Sequence, residues 1–490
     1  MYIPPQPPSS AGLQTNSSSR TMATDSPPAI STQGSVVRIY AGQLFDPESL
    51  ELRPRQKITI SQDSGLILGV RPYLAQEESE VDFTNTDAVV DLRDATVLPG
   101  FVDTHVHMFL HPYAERTWED QLTKESLVER TVRATVHAKR TLMAGFTTVR
   151  DLGTEGAEDA DIQLRKCMSG PDPLIPGPRY FCANRAIIAS GSYGPKSNLH
   201  LHQNGVEGIT GAEFVDGEAE CMKAVRKQVG AGADWVKVLT DYRVRTRMAD
   251  VSTNTATATI QTFTTDEVKV LVRTAHQLGV KVAAHANTWR ADLLPENGGI
   301  DTLEHGNDLG PDSLLDAIQR SRVIWVPTLA VYYTNDTVKA PGGPWDRTAR
   351  NFRRALARGV TNIACGGDTG PFPHGDNALE MKLMVRLGAD WRLVLRWATL
   401  GGWQCVRSMR WEGEEGEARL ARVEALQESA AAVGDNEVPF GIVKKGFVAD
   451  IIATRGDLRK DFENAVDKIN ITFVMKGGKI FKVGGREWVG

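Results

Sequence analysis

The middle of the chain, roughly residues 98–437, alternates between two patterns of apolar positions. Short apolar runs are followed by longer segments in which apolar residues recur every three or four positions, as in Leu127–Met143 and Asp266–Leu278. The short runs predict eight strands: Gly100–Val106, Phe146–Leu152, Tyr180–Ile187, Trp235–Leu239, Val280–Ala286, Thr302–His305, Val323–Leu329 and Asn362–Cys365. Such repeated strand–helix units predict an α/β protein with a (β/α)₈ TIM barrel. A doubly wound open sheet is the alternative, but no G-x-G-x-x-G follows the first strand to favour it.

The two ends of the chain have a different pattern, in which short β-rich runs are separated by polar, glycine or proline turns. Four such runs precede the middle region and three follow it: Val36–Tyr40, Lys57–Ile60, Leu66–Val70 and Ala88–Leu92, then Asp450–Ala453, Ile471–Met475 and Lys479–Val483. We therefore expect β-rich segments at 35–97 and 438–490 on either side of a barrel at 98–437.

Two further segments differ from these patterns in composition. Residues 1–34 include 13 prolines and serines and lack the apolar stretch of a secretory signal, so they are predicted to form a disordered tail. Residues 411–437 carry seven glutamates and one aspartate around an alanine-rich helical pattern between Glu417 and Val433. They predict a solvated helix and loop, with a lid or partner-binding element as the alternative.

The overall charge and the cysteines restrict the classes of partner. A formal net charge of −5 gives no reason to expect nucleic acid or an anionic membrane as a partner. No apolar run approaches the length of about 18 residues that a transmembrane helix needs. The five cysteines are scattered, with no C-x-x-C pair, which favours a reducing, cytoplasmic location. The expected partner is a small-molecule substrate, and assembly into a homo-oligomer stays open.

The strongest candidate for chemistry is the pair His105 and His107 at the end of the first barrel strand. Residues i and i+2 of a strand point to the same face, with Cα atoms about 6–7 Å apart, so two imidazoles could bind one divalent metal. His285 and His305 also end predicted strands, and the carboxyl ends of barrel strands form the active site. A single strand-end histidine is more often a hydrogen-bonded surface residue, but four together make a metal site the better interpretation.

Two more residues occupy comparable positions. Asp368 follows Gly366 and Gly367 after the eighth predicted strand, where a carboxylate could bind metal and take a proton from water. An aspartate that caps the next segment is the ordinary alternative. Lys237 lies within the apolar strand Trp235–Leu239, where a lysine is costly unless it is paired. A structural ion pair would be a sufficient reason for it.

These motifs, taken in order, resemble the amidohydrolase superfamily. They read PGFVDTHVHM, VKV with Lys237, AHA with His285, LEHG with His305 and GGDTG with Asp368. Within the superfamily the chain is similar to the branch of imidazolonepropionase-like, Xaa-Pro dipeptidase-like and ochratoxinase-like proteins. The resemblance covers about residues 35–490. The segments GFVADIIA and VMKGGKIFK resemble strands of the superfamily's small β-sandwich domain, which implies that both chain ends build such a domain.

The resemblance implies a role for each matched residue. His105, His107 and Asp368 would bind one divalent metal ion, and His285 and His305 a second, with zinc as the expected metal. Lys237 would be carbamylated by CO₂ and bridge the two ions. A hydroxide held between the ions would attack the substrate carbonyl, and Asp368 would carry a proton to the leaving nitrogen. The expected activity is metal-dependent hydrolysis of an amide C–N bond.

The substrate is predicted less directly. Arg243 and Tyr242 follow the lysine strand and could bind a substrate carboxylate, although a surface ion pair of Arg243 is equally compatible. Tyr193 could polarise the substrate carbonyl, and His374 could contact the substrate. These residues favour a dipeptide-like or N-acyl amino acid substrate. The alternatives are a cyclic amide hydrolase, a lyase or isomerase on the same metal barrel, and an inactive scaffold.

Overall fold

A computed structural model of the chain describes residues 35–84, 88–170, 172–193, 211–243, 259–288, 293, 299–427 and 436–488. The predicted disordered tail at 1–34 lies outside the described residues. The strands are β1 Val36–Asp46, β2 Glu51–Ser61, β3 Ile67–Pro72, β4 Val89–Pro99, β5 Phe101–Val106, β6 Phe146–Asp151, β7 Arg179–Cys182, β8 Ala186–Ile188, β9 Ala212–Phe214, β10 Trp235–Leu239, β11 Asp241–Arg243, β12 Thr259–Gln261, β13 Lys281–Thr288, β14 Thr302–Asp308, β15 Ile324–Val326, β16 Ile451–Thr454, β17 Ile471–Lys476, β18 Lys479–Val483 and β19 Arg486–Glu487.

Helices follow most of the strands in the middle of the chain, so the protein has a mixed α/β fold. They are α1 Ala75–Glu80, α2 Trp118–Lys124, α3 Leu127–Met143, α4 Ala160–Met168, α5 Gly217–Ala231, α6 Thr265–Gln277, α7 Asp312–Arg320, α8 Leu329–Asn335, α9 Pro344–Ala357, α10 Leu379–Arg386, α11 Trp391–Trp397, α12 Leu400–Val406, α13 Gly413–Glu424 and α14 Phe462–Ala465. None of these described helices combines the length and the apolar character needed to cross a membrane.

One eight-stranded sheet contains strands from both chain ends, in the order β19-β18-β17-β16-β4-β1-β2-β3. The two ends meet where β16 pairs antiparallel with β4, with Ile451 opposite Pro99 and Thr454 opposite Thr96. Both ends therefore contribute to one β-rich body, as their shared pattern predicted.

Nine strands of the middle region pair in parallel, whereas β11 and β12 form a separate antiparallel pair. Three form the order β5-β6-β7 and six form the order β15-β14-β13-β10-β8-β9. The third predicted strand is divided into β7 and β8 by Ala183–Arg185, within which Asn184 has a positive φ of 61°. Parallel strands carry their carboxyl ends at one edge, so the polar residues that follow them are brought together.

The eighth predicted strand, Asn362–Cys365, is not a strand in the structure. Isolated parallel bridges join Ile363 to Trp325 and Thr369 to Val106, on either side of a segment without regular pairing. Gly366 explains the close approach there, because a Cβ on it would lie 2.6 Å from Val326 Cγ1 and 2.9 Å from His105 N. The segment still delivers Asp368 to the ends of the neighbouring strands.

Local sequence explains the helices that cover these strands. Helix α6 begins with a capping box in which the Thr264 side chain accepts from Glu267 N and the Glu267 carboxylate accepts from Thr264 N. Helix α3 begins at the Ser126 cap, and its residues Ala134, Ala138 and Leu142 are buried. The described part of the glutamate-rich segment forms α13, which buries Gly416 and Val423; residues 428–435 lie outside the described residues.

Candidate metal centre

Six side chains from different strand ends line one cavity of about 820 Å³. His105 is in β5, Lys237 is in β10, His285 is in β13 and His305 is in β14. The other two, His107 and Asp368, follow β5 and the glycine segment. The structure therefore brings together all six predicted ligands.

Three of these side chains form a compact group that could hold a metal ion. One ligand atom from each of His105, His107 and Asp368 lies within 4.8 Å of the other two. Asp368 Oδ1 is 3.2 Å from His107 Nε2 and 3.7 Å from His105 Nε2. Two imidazole nitrogens and a carboxylate oxygen are a ligand set that suits zinc and other divalent ions.

The other two histidines lie beside this group. The ring centroids of His285 and His305 are 4.4 Å apart, and that of His305 is 5.1 Å from His105. Four imidazoles thus form a continuous cluster on one side of the cavity. Four imidazoles, together with the Asp368 carboxylate, provide enough ligand atoms for a second ion beside the first.

Hydrogen bonds orient three of the imidazole rings through their Nδ1 atoms. Nδ1 of His105 lies 2.8 Å from Glu304 Oε2, that of His107 lies 2.9 Å from the Gly153 carbonyl oxygen, and that of His305 lies 2.9 Å from Thr328 Oγ1. An Nδ1–H that donates in this way leaves Nε2 with its lone pair, which is the form needed to bind a metal.

A buried ion pair between Arg150 and Glu304 holds the imidazole of His105 in place. Arg150 Nη2 donates to Glu304 Oε1 at 2.7 Å, and both side chains are fully buried. Although burial opposes ionisation, the positive charge of Arg150 and the contact with His105 lower the pKa of Glu304 to about 2. Glu304 is therefore an anion that makes His105 a more basic ligand.

Lys237 is buried and has an orphaned amine. Its residue exposure is 3%, and Nζ has no hydrogen-bond partner in the described part of the chain. Burial lowers the pKa of Lys237 to about 8. An unpaired buried amine is costly, which indicates that the side chain meets a partner other than these protein groups.

The charged residues of the cavity change one another's pKa values. Burial opposes the ionisation of both Asp368 and His107. Nevertheless, nearby imidazoles lower the pKa of Asp368 to about 2, and the Asp368 carboxylate raises the pKa of His107 to about 9. Burial and neighbouring cations lower the pKa of His305 well below its usual value. Without a metal, His107 therefore carries the cation that balances Asp368.

The backbone is strained at the same place. His305, Asp368, Thr328 and Glu155 all have positive φ angles, of 73°, 57°, 50° and 50°. For a residue with a Cβ, the left-handed region costs about 1–2 kcal/mol. Such strain concentrates at functional sites, where the surrounding structure holds side chains in one geometry.

The predicted substrate-binding residues divide into three groups. Tyr193 and Tyr242 line the cavity, and their ring centroids are 5.1 Å apart. Arg243 ends β11, but its side chain lies outside the described residues, so its role stays a prediction. His374 does not line the cavity, because it is buried with its ring stacked 4.3 Å from His137 and its Nε2 3.1 Å from the Leu110 carbonyl oxygen. The structure therefore does not support substrate contact by His374.

Comparison with known proteins agrees with this geometry. The sequence profile of the amidohydrolase family matches residues 96–408, which contain all six cavity side chains. The chain belongs to the amidohydrolase family. It is 25% identical to ochratoxinase from Aspergillus niger over 414 residues, which cover 80% of this chain and 76% of ochratoxinase.

Solved structures share the fold of this amidohydrolase. A Xaa-Pro dipeptidase with methionine bound in its active site superposes with a TM-score of 0.70 at 24% identity, over 91% of this chain and all of that one. The A. niger ochratoxinase structure has a TM-score of 0.67 at 22% identity, over 92% and 96% of the two chains. The predicted branch of the superfamily is thus confirmed.

Several cavity residues of this amidohydrolase were missed by the sequence analysis. They include Tyr113, Glu155, Tyr332 and Arg347. Glu155 follows the predicted strand at Phe146–Leu152, so its position after a strand end was an available signal. The Tyr193 hydroxyl donates to Glu155, and Trp118 Nε1 donates to the same carboxylate at 2.9 Å. The ring of Tyr193 therefore forms part of the cavity wall. Its hydroxyl already donates to Glu155, so it is not free to donate to a substrate carbonyl.

Removing one ring-orienting contact should weaken metal binding without dismantling the site. Thr328→Val keeps the branched side chain but deletes the oxygen 2.9 Å from His305 Nδ1. We expect metal affinity to fall about 10- to 100-fold, measured by competition with a chelator.

Thr454→Val is the matched control, because it deletes a buried threonine hydroxyl of β16 in the eight-stranded sheet, which donates to the Ala465 carbonyl oxygen of α14. It should leave metal affinity unchanged. Equal affinities in the wild type and Thr328→Val would show that this contact does not tune His305.

Proposed function

We propose that this amidohydrolase is a metal-dependent enzyme that hydrolyses an amide bond in a dipeptide-like or N-acyl amino acid substrate. The observation that carries the proposal is the convergence of four histidines, Asp368 and an unpartnered buried Lys237 on one cavity. Metal ligands, a carboxylate for proton transfer and space for a small molecule are thereby combined at one place.

The proposed architecture follows from the strand order. We propose that the parallel strands form a (β/α)₈ barrel over residues 98–437, with the cavity at the carboxyl ends of its strands. The mixed sheet built from 35–97 and 438–490 is proposed to be the small β-sandwich domain. The bridges from Ile363 to Trp325 and from Thr369 to Val106 support placing the glycine segment between β15 and β5.

The donor set fits two divalent ions, for which we propose zinc. His105, His107 and Asp368 would hold one, and His285 and His305 would hold the other. The Nδ1 contacts that leave Nε2 available on three of these rings support this assignment. Divalent ions held by these residues would polarise the amide carbonyl and lower the pKa of water.

Lys237 is proposed to be carbamylated and, in that form, would be an anionic ligand of the ions. Its neutral amine would attack CO₂ to form an N–C bond, releasing a proton and leaving an anion in place of the lysine cation. The lowered pKa of Lys237 supports this step, because the neutral amine is the nucleophilic form. The missing partner of Nζ supports it as well, since a carbamate would be satisfied by the cations.

Asp368 is proposed to move the proton of the reaction. Its carboxylate takes a proton from the attacking water as the water oxygen bonds to the carbonyl carbon. It then gives that proton to the nitrogen as the C–N bond breaks. The low pKa of Asp368, about 2, means that the carboxylate is available as an acceptor at neutral pH.

The substrate class rests on the cavity and the relatives. A volume of about 820 Å³ suits a dipeptide-sized molecule. One structural neighbour is a Xaa-Pro dipeptidase whose active site holds methionine, and another relative is an ochratoxinase. Tyr193 and Tyr242 are proposed to pack against the substrate, and Arg243 stays a proposed carboxylate ligand.

The experiment is a comparison of substrate classes on stripped and metal-loaded protein. N-acetyl amino acids, Xaa-Pro dipeptides and cyclic amides would be supplied to protein treated with chelator and then with zinc. We expect hydrolysis of the first two classes only after metal is restored. Full hydrolysis by metal-free protein would refute the metal-dependent mechanism, and conversion of cyclic amides alone would favour the cyclic amide alternative.

A further inference from the structure

We propose that Arg347 binds the free carboxylate of the substrate, and that this contact selects substrates whose leaving group is an amino acid. The inference rests on the proposed amide hydrolysis and names the substrate class of that cavity. Arg347 lines the cavity together with Tyr332 and Asn335, on the side formed by α8 and the start of α9.

The guanidinium of Arg347 has unused hydrogen-bonding capacity. Its Nη1 donates to the Gly342 carbonyl oxygen at 3.1 Å. Among the described residues no other hydrogen bond or ion pair holds this side chain. Arginine presents donors in a planar fork that matches a carboxylate, so a second set of contacts is available to a ligand.

The acidic residues nearest in sequence are already engaged elsewhere. Asp336 Oδ1 accepts from Lys339 N at 2.9 Å, and its Oδ2 accepts from Trp345 N at 3.1 Å. Asp346 accepts from Gly342 N at 2.8 Å and lies 3.4 Å from Arg350 Nη2. These carboxylates stabilise the turn rather than neutralise Arg347.

The elements around Arg347 are firmly anchored. The buried carboxylate of Glu380 accepts from Leu329 N at 3.0 Å and from Ala330 N at 2.7 Å, which fixes the start of α8. Trp345 packs edge-on against Tyr333 with ring centroids 5.1 Å apart, which joins α9 to α8. Because the backbone around Arg347 is already ordered by these contacts, little backbone entropy is lost when its side chain binds a ligand.

The position of Arg347 defines how the substrate would be oriented in the cavity. The scissile bond must lie near His105, His107 and Asp368. A carboxylate at Arg347 therefore directs the leaving amino acid toward α8 and α9. Glu155, which accepts a hydrogen bond from the Tyr193 hydroxyl, would repel a carboxylate placed on the Tyr193 side of the cavity.

The test compares two substrates that differ only in the charge of one group. N-acetyl-L-phenylalanine and N-acetyl-L-phenylalaninamide would be supplied to the zinc-loaded protein, with acetate release as the measured product. We expect Arg347→Gln to raise KM for the acid about 10- to 100-fold and to leave KM for the amide within about twofold, with kcat unchanged for both. Arg347→Lys should keep part of the preference.

Two variants serve as controls. Arg350→Gln removes the same charge from α9 at a residue that does not line the cavity, and it should leave both KM values unchanged. Arg243→Gln tests the carboxylate ligand predicted from sequence. Loss of acid preference in Arg243→Gln with none in Arg347→Gln would overturn the inference, as would equal changes for the acid and the amide.

Failure of the inference is distinguishable from failure of the proposed function. If wild-type protein cleaves neither compound nor any other amide, amide hydrolysis is wrong. Equilibrium binding of N-acetyl-L-phenylalanine then decides the role of Arg347. Weaker binding to Arg347→Gln than to wild type and Arg350→Gln would support the carboxylate contact, whereas identical binding or none would overturn it.

Discussion

Lys237→Ala is expected to lower kcat/KM for amide hydrolysis by about 10⁴-fold or more, because it removes a proposed ligand that would act as a unit with the other five. The change should also reduce metal content, since it removes the anion that would balance the charge of the proposed ions. Both effects would be measured on protein purified in parallel with the wild type, by steady-state kinetics and elemental analysis.

Chemical rescue separates a missing bridge from a damaged fold. Short carboxylic acids such as acetate should partly restore the activity of Lys237→Ala by entering the space left by the side chain. Lys237→Met is the matched control, because its unbranched side chain fills that space and cannot be carbamylated. We expect no rescue of Lys237→Met. Activity near the wild-type level in Lys237→Met would show that the lysine is not a bridge.

Asp368→Asn is expected to lower kcat by about 10²–10⁴-fold while much of the metal is retained. Asparagine keeps the shape of the side chain and one ligating oxygen, but it cannot accept and return a proton. The five other proposed ligands are unchanged. Asp376→Asn is the control, because this aspartate lies in the same region of the chain but pairs with Lys468 at 2.6 Å.

The pH dependence of Asp368→Asn should change in a defined direction. A proton acceptor is active only when deprotonated, so wild-type kcat rises with pH through the acceptor's pKa. The low pKa of Asp368 keeps it ionised over the neutral range. Asparagine does not titrate, so the fall in kcat near pH 2 that comes from protonation of Asp368 should be absent from the variant. Near-normal kcat in metal-loaded Asp368→Asn would mean that another residue transfers the proton.

Some elements could be predicted from sequence because local signals agreed with tertiary packing. The helix Leu127–Met143 and the strand Trp235–Leu239 have the predicted bounds. Periodicity, the Ser126 cap and burial all favour the helix, and an apolar, fully buried run favours the strand. The Asn362–Cys365 segment was predicted as a strand from its apolar residues, but its backbone is held by contacts on both sides at Gly366 rather than by regular strand pairing.

The proximity of the six proposed ligands could be predicted from sequence, because strand ends place them on one edge. Their supporting contacts were not accessible in this way. Arg150 and Glu304 are 154 positions apart, so only the folded structure shows that they pair beneath His105. Arg347 was missed because it lies on a helix after a loop, where an exposed arginine resembles any solvated residue. His374 was predicted at the site because it follows Asp368 closely, but the chain buries it against His137 instead.

The most direct test of the account is the divalent metal content of the purified full chain, measured together with its amide hydrolysis. We expect up to two ions per wild-type chain, zinc above other metals, and activity that is lost and regained with them. The double variant His105→Ala/His107→Ala should bind less metal and show no turnover. Full metal occupancy and activity in that double variant, or full wild-type activity without any divalent ion, would contradict the proposed metal centre.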